Sequence, residues 1–121
     1  MTDTSPEYIA MCDCPEILKA SRRYRDSMSF WRDANYPEFI GSPKAVWLPR
    51  QDQLQEMVSG SLVYKLDKFD EWRNSNYLEP GLFNYARSNQ ADHIFNSMEQ
   101  LWLSFVMWEL HQKQWGRGAW A

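Results

Sequence analysis

No uninterrupted apolar stretch of this 121-residue chain approaches the roughly 20 residues needed to span a bilayer. The longest, Leu101 to Leu110, is too short and contains Ser104 and Glu109. The first residues are polar and acidic, so no signal peptide is read there. Cysteine and histidine are scarce, at two each. Cys12 and Cys14 stand too close for a comfortable disulfide, and their spacing fits no usual zinc pattern. A Cys2His2 site would need both together with His93 and His111, which are distant in sequence. The pair therefore reads as two reduced thiols in a cytosolic protein, at least one buried, with no metal and no cofactor expected. Catalytic signatures are missing too: no Gly-rich phosphate loop, no His-Glu-x-x-His, no Gly-x-Ser-x-Gly elbow. A nucleophile pair could be drawn from Cys12 or Cys14 and His93 or His111, but nothing in the sequence brings them together. Glu109 and His111 are two apart and do not share a helix face. His111 reads as a polar residue near a helix C-terminus, where an imidazole suits the dipole.

Basic charge is not in excess either. Thirteen Lys and Arg against sixteen Asp and Glu leave a net charge of −3. A chain that neutralises many phosphates needs a basic face, so nucleic acid is the weaker choice of partner. The local cluster Lys19, Arg22, Arg23 and Arg25 reads as a solvated helix face.

Aromatic side chains, in contrast, are abundant: seven Trp, six Tyr and six Phe. They supply large buried area per residue, so a small chain can build its core from few of them. The length fits one domain, residues 1–121, able to bury roughly two thirds of the unfolded surface. Most of the aromatics are expected in that core. A few could serve as exposed anchors for a partner, and the load also leaves room for homo-oligomerisation.

The local grammar is mainly helical. Ser5-Pro6-Glu7 is a helix start, with a capping hydroxyl, a proline at the first position and an acid in the first turn. That helix is read to about Met11. Asp13-Cys14-Pro15-Glu16 repeats the pattern, with Ile17, Leu18, Tyr24 and Met28 following at partly helical spacing. Asp33, Asn35, Pro37, Gly41 and Pro43 then rule out one long helix. Short extended pieces near 28–32 and 44–48 could pair as a hairpin. Pro49 pre-sets a helix from about residue 50, with Asp52 in its first turn and Leu54, Met57 and Val58 on one face. Gly60 ends or bends it, and Ser59 or Ser61 caps the next helix. There Leu62, Val63, Leu66, Phe69 and Trp72 make an apolar stripe, closed by Asn74-Ser75-Asn76. Pro80-Gly81 reads as a turn, and Leu82 to Ala86 as a short helix. Ser97-Met98-Glu99-Gln100 has the form of a capping box. The helix behind it is apolar nearly all round, as a buried central helix should be. Trp115 and Trp120 lie in a glycine-loosened tail expected to fold back onto the core. The fold class expected is mainly α, or α+β with a small two-stranded ribbon, built around a buried C-terminal helix.

The most specific string is Trp47-Leu48-Pro49-Arg50-Gln51-Asp52-Gln53-Leu54. Residue by residue, Trp47 can be a core anchor, Pro49 the helix opener, and Arg50 and Asp52 members of ion pairs. A functional reading makes Trp47, Arg50, Gln51, Asp52 and Gln53 a binding patch. In it, dense hydrogen-bonding capacity at a helix start suits an anion, a carboxylate or a partner's backbone, beside an exposed Trp47. The string, with Glu56-Met57 after it, resembles the signature of a family of small uncharacterised phage and prophage proteins. Met11 to Ile17 and Ser97 to Met107, with Trp115, Gly116 and Trp120, are similar to the same family. Leu18 to Val46 departs from it, and Ser59 to Phe95 is only loosely similar. The resemblance implies a virus-encoded protein acting in the cytoplasm of a bacterial host, and it implies no activity.

The expected function is a non-enzymatic protein that binds a host or phage protein and modulates it, for example as a defence inhibitor or replication accessory. The alternatives are a small-ligand or nucleotide-binding protein using the Arg50–Gln53 helix start, and a minor virion or assembly component.

Overall fold

The computed structural model describes residues 2–33, 45–74, 95–116 and 118–121. The breakers from Asn35 to Pro43, the Pro80-Gly81 turn, the Leu82–Ala86 helix and His93 lie outside them. The chain order is α1 (Pro6–Cys12), α2 (Pro15–Tyr24), β1 (Phe30–Asp33), β2 (Ala45–Leu48), α3 (Gln51–Met57), α4 (Leu62–Asn74), α5 (Met98–His111), β3 (Trp115–Gly116) and β4 (Ala119–Trp120). The fold is mainly α with two small antiparallel ribbons, as the helical grammar predicts.

Each helix start has a readable cause. Ser5 Oγ accepts the Tyr8 N–H and Pro6 opens α1. Cys14 takes the extended N-cap backbone before Pro15, without a side-chain cap. Ser61 Oγ accepts the Tyr64 N–H at the head of α4. At α5, Ser97 Oγ accepts the Gln100 N–H. The second half of the expected capping box is shifted by one residue, because Gln100 Oε1 accepts the Asn96 N–H. Gly60 separates α3 from α4 with φ +112°, a conformation favouring glycine.

The expected hairpin forms two residues later than read at its first strand. It pairs Phe30 with Leu48, Trp31 with Trp47, Arg32 with Val46 and Asp33 with Ala45. Helix α5 is the spine. Residues 100 to 107 are all buried on it, and α1, α3 and α4 pack against it while α1 and α2 cover β2. Phe69 of α4 stacks on Trp102 at 4.0 Å between centroids, and Phe105 meets Phe69 edge-on at 5.5 Å. Such rings add about 0.5–1.5 kcal/mol per pair beyond their area burial.

Two expectations for apolar stripes are corrected. The last turn of α5 leaves Trp108 and Leu110 exposed, so α5 is buried over eight residues rather than throughout. Of the α4 stripe, only Phe69 and Trp72 are buried, while Leu62, Val63 and Leu66 face solvent. The packed part of α4 is its second half, and the stripe runs on past the end of the core.

The tail folds back as expected, but as a ribbon. Trp115 pairs with Trp120 across it, and Trp120 Nε1 donates to the Met11 carbonyl at 2.8 Å. Lys113 Nζ reaches Glu16 Oε2 at 2.6 Å, which holds the Glu16 carboxyl below its ordinary range.

Candidate functional site

The start of α3 is placed by a buried tyrosine. Tyr8 is fully buried, and its hydroxyl donates to the Pro49 carbonyl at 2.7 Å, fixing the β2–α3 corner to α1. Pro49 turns the chain out of β2, so Trp47 and Leu48 point into the core and Arg50 becomes the α3 N-cap. Trp47 is 1% exposed. The exposed indole of the sequence-based patch is therefore corrected to a core anchor. Its buried Nε1–H has no hydrogen-bond partner among the described residues.

Gln53 is likewise internal, at 2% exposure. Its Oε1 accepts the Arg50 N–H at 2.9 Å, the half of a capping box open to it, since Arg50 has no side-chain acceptor to complete the other half. Its Nε2 donates to the Tyr24 carbonyl at 3.0 Å and, more weakly, to Ser29 Oγ. Gln53 thus ties α3 to the end of α2 and cannot offer its amide to a partner.

Arg50 stays at the surface but is already engaged. Its Nη1 and Nη2 donate to the two carboxylate oxygens of Asp26 at 3.1 and 2.8 Å. Nε and Nη2 donate to Asp52 at 3.0 and 3.3 Å. Four of its five donors are occupied. The guanidinium holds Asp26 down to about 2 and has its own proton tightened by both carboxylates. One positive charge between two negative ones leaves this corner net negative. An anion or carboxylate, which the helix start alone would invite, meets repulsion instead. Asp26 and Ser29 escaped the sequence reading. The signal was the turn Asp26-Ser27-Met28-Ser29, in which Asp26 Oδ1 accepts the Met28 N–H and Ser29 Oγ accepts the Asp26 N–H.

Gln51 and Asp52 remain available at the surface. With Arg50, Thr2, Phe30 and Glu99 they line a cleft of about 280 Å³. A second cleft of about 300 Å³ shares Thr2 and Glu99 and is completed by Asp3, Ser5, Glu7, Asn96, Ser97 and Gln100. The starts of α1, α3 and α5 therefore open on one side of the molecule. Their first-turn acids Glu7, Asp52 and Glu99 answer the positive ends of three helix dipoles. Asp3 joins two of these starts. Its carboxylate accepts from the Ser5 N–H, Ser97 Oγ and Gln100 Nε2. Burial pushes its proton affinity up, and these donors more than reverse that, leaving it below the ordinary value.

The thiols sit elsewhere, in a groove of about 420 Å³ between the α1–α2 joint and β2, lined by Cys12, Cys14, Leu18 and Trp47 among others. Burial raises Cys12 well above its usual range and pushes Cys14 up to about 11. Both are free and neutral near pH 7, poor nucleophiles and poor metal ligands in that form. His111 lies exposed in the last turn of α5. Among the described residues no group of three or more His, Cys, Asp or Glu could hold a metal ion, and no helix is long and apolar enough to cross a membrane.

No protein-family model, curated protein or solved structure matches the chain.

Proposed function

We propose that the protein is a non-enzymatic binding module, phage- or prophage-encoded, that docks on a host or viral protein and modulates it. The carrying observation is the cleft that gathers Gln51 and Asp52 with Glu99 beside an Arg50 already clamped by two carboxylates. A fixed guanidinium and short helix-borne acids form a pre-ordered polar surface, which limits the ordering cost of binding. Its net charge selects a partner offering donors there: a lysine, an arginine or backbone N–H groups. The same charge weighs against the nucleotide-binding alternative. The phage origin rests on the resemblance of the Trp47–Leu54 string.

The test is affinity capture of the tagged protein from bacteria carrying the gene, beside an Asp52→Lys/Glu99→Lys variant. Both positions lie outside the core, and unchanged circular dichroism would establish that the variant folds without the Arg50–Asp52 pair. A stoichiometric partner held by wild type and lost by the folded variant supports the reading. Equal capture by both moves the binding surface elsewhere.

A further inference from the structure

We propose that the groove between α2 and β2, with the basic outer face of α2 beside it, receives an acidic segment of a protein partner. An apolar side chain of that segment sits in the groove, and its carboxylates meet Lys19 and Arg22. The groove has a volume of about 420 Å³ and is walled largely by apolar side chains, among them Cys12, Cys14, Leu18, Val46 and Trp47. Asp13, at the α1–α2 joint, is the acid that lines it among the described residues. Leu18 is 56% exposed, so it lines the groove from the solvent side. Arg22 follows Leu18 at i+4 and Lys19 stands three before Arg22, which places both cations beside Leu18 on the outer face of α2. Ile17 and Ser21 take the buried face.

Charge selects the occupant. Lys19, Arg22, Arg23 and Arg25 are all exposed, and among the described residues none of them enters an ion pair. The acids nearest to them in sequence are engaged elsewhere, Glu16 by Lys113 and Asp26 by Arg50. The helix dipole accounts for Arg22 and Arg23 in the last turn of α2, but not for Lys19, which stands a turn earlier and repels both. A partner that brings carboxylates relieves that repulsion, and carboxylates meet a guanidinium in two-point geometry. Nucleic acid fits this surface less well. Helix α2 has ten residues, a length of about 15 Å. Asp13 flanks it at one end and the net-negative Asp26–Arg50–Asp52 corner at the other, so a longer run of phosphates meets repulsion at both. Phosphates would also leave the apolar groove unfilled. A bulky apolar residue set among acids fits groove and cations together. This inference extends the protein-docking reading to a second surface, and it can fail while capture through the cleft at the α3 start holds.

NMR titration of the nitrogen-labelled full chain tests it, at about 50 mM salt, where surface charges are only partly screened. The probes are a capped peptide with paired leucines between runs of glutamate, an all-glutamate peptide of equal length, and a short DNA duplex. The leucine-containing peptide is expected to give saturable shifts at residues 12–25 and 45–47. The all-glutamate peptide should bind at least about threefold more weakly, because nothing fills the groove. Lys19→Glu/Arg22→Glu should weaken the leucine-containing peptide at least about tenfold through loss of the charge pairing, and Leu18→Ser about threefold through loss of the apolar wall. All three side chains are exposed, and unchanged circular dichroism would establish that the variants fold. No shifts at these residues, or a Lys19→Glu/Arg22→Glu variant that binds as wild type does, overturns the proposal. So does an all-glutamate peptide that matches the leucine-containing one, or a duplex that binds more tightly than either, which would make this a nucleic-acid surface.

Discussion

Arg50 shows how a residue chosen for its binding capacity can have that capacity taken up internally. A free guanidinium at a helix start would attract anions, but here Asp26 arrives from 24 positions upstream and joins Asp52. The consequence is measurable on Asp26 itself. Its carboxyl is expected to titrate at about 2, followed by carbon-detected NMR across the acid range. Arg50→Ala should return it to the ordinary aspartate value near 4. An Asp26 that titrates near 4 in wild type would mean the clamp is absent in solution. The ion pair Arg50–Asp52 could be anticipated from sequence, since the two are close on one helix start. Asp26 could not, because its approach depends on where the α2 end and the β1–β2 ribbon are packed. Trp47 failed as an exposed anchor for a related reason. The strand β2 alternates only on a half-buried sheet, and with α1 and α2 both covering it, Val46, Trp47 and Leu48 are all buried.

At the scale of elements, the capping grammar was legible and the packing only in part: α5 reads as the buried spine, but the exposure of its last turn does not. Ser5-Pro6 and Ser97 open helices where a hydroxyl accepts a free N–H, a local event fixed by two or three residues. In α4 it is Phe69 and Trp72, in the second half, that meet Trp102 and Phe105 of α5, a choice of face that no local pattern encodes. The contrast between Gln51 and Gln53 tests the same division. Gln53→Leu removes the acceptor for the Arg50 N–H and the donor to the Tyr24 carbonyl, so it should destabilise by about 1–3 kcal/mol in urea denaturation. Gln51→Ala, two residues away and in the cleft wall, should stay within about 0.5 kcal/mol. Equal effects would show that Gln53 is not the bolt between α3 and α2.

For the molecule as a whole, acid sensitivity follows from three carboxylates whose proton affinities are lowered on folding. Asp26 is drawn down by Arg50, Glu16 by Lys113, and Asp3 by donors from Ser97, Ser5 and Gln100 against the opposing pull of burial. A group whose folded value lies below its unfolded value stabilises fully above the unfolded value and loses that contribution as pH falls through the folded one. Urea midpoints should therefore be flat at neutral pH and fall progressively from about pH 4 toward pH 2. Asp3 and Glu16 link residues near the N-terminus to the α5 start and to Lys113, so this loss should loosen both ends of the chain.

The proposed docking surface lies where the starts of α1, α3 and α5 meet, with Gln51, Asp52 and Glu99 at the surface and Arg50 clamped beside them. Amide hydrogen exchange of the captured complex against the free protein tests it most directly. New protection is expected at residues 2–7, 51–54 and 97–101. Protection confined to other segments, with these three unchanged, would contradict it.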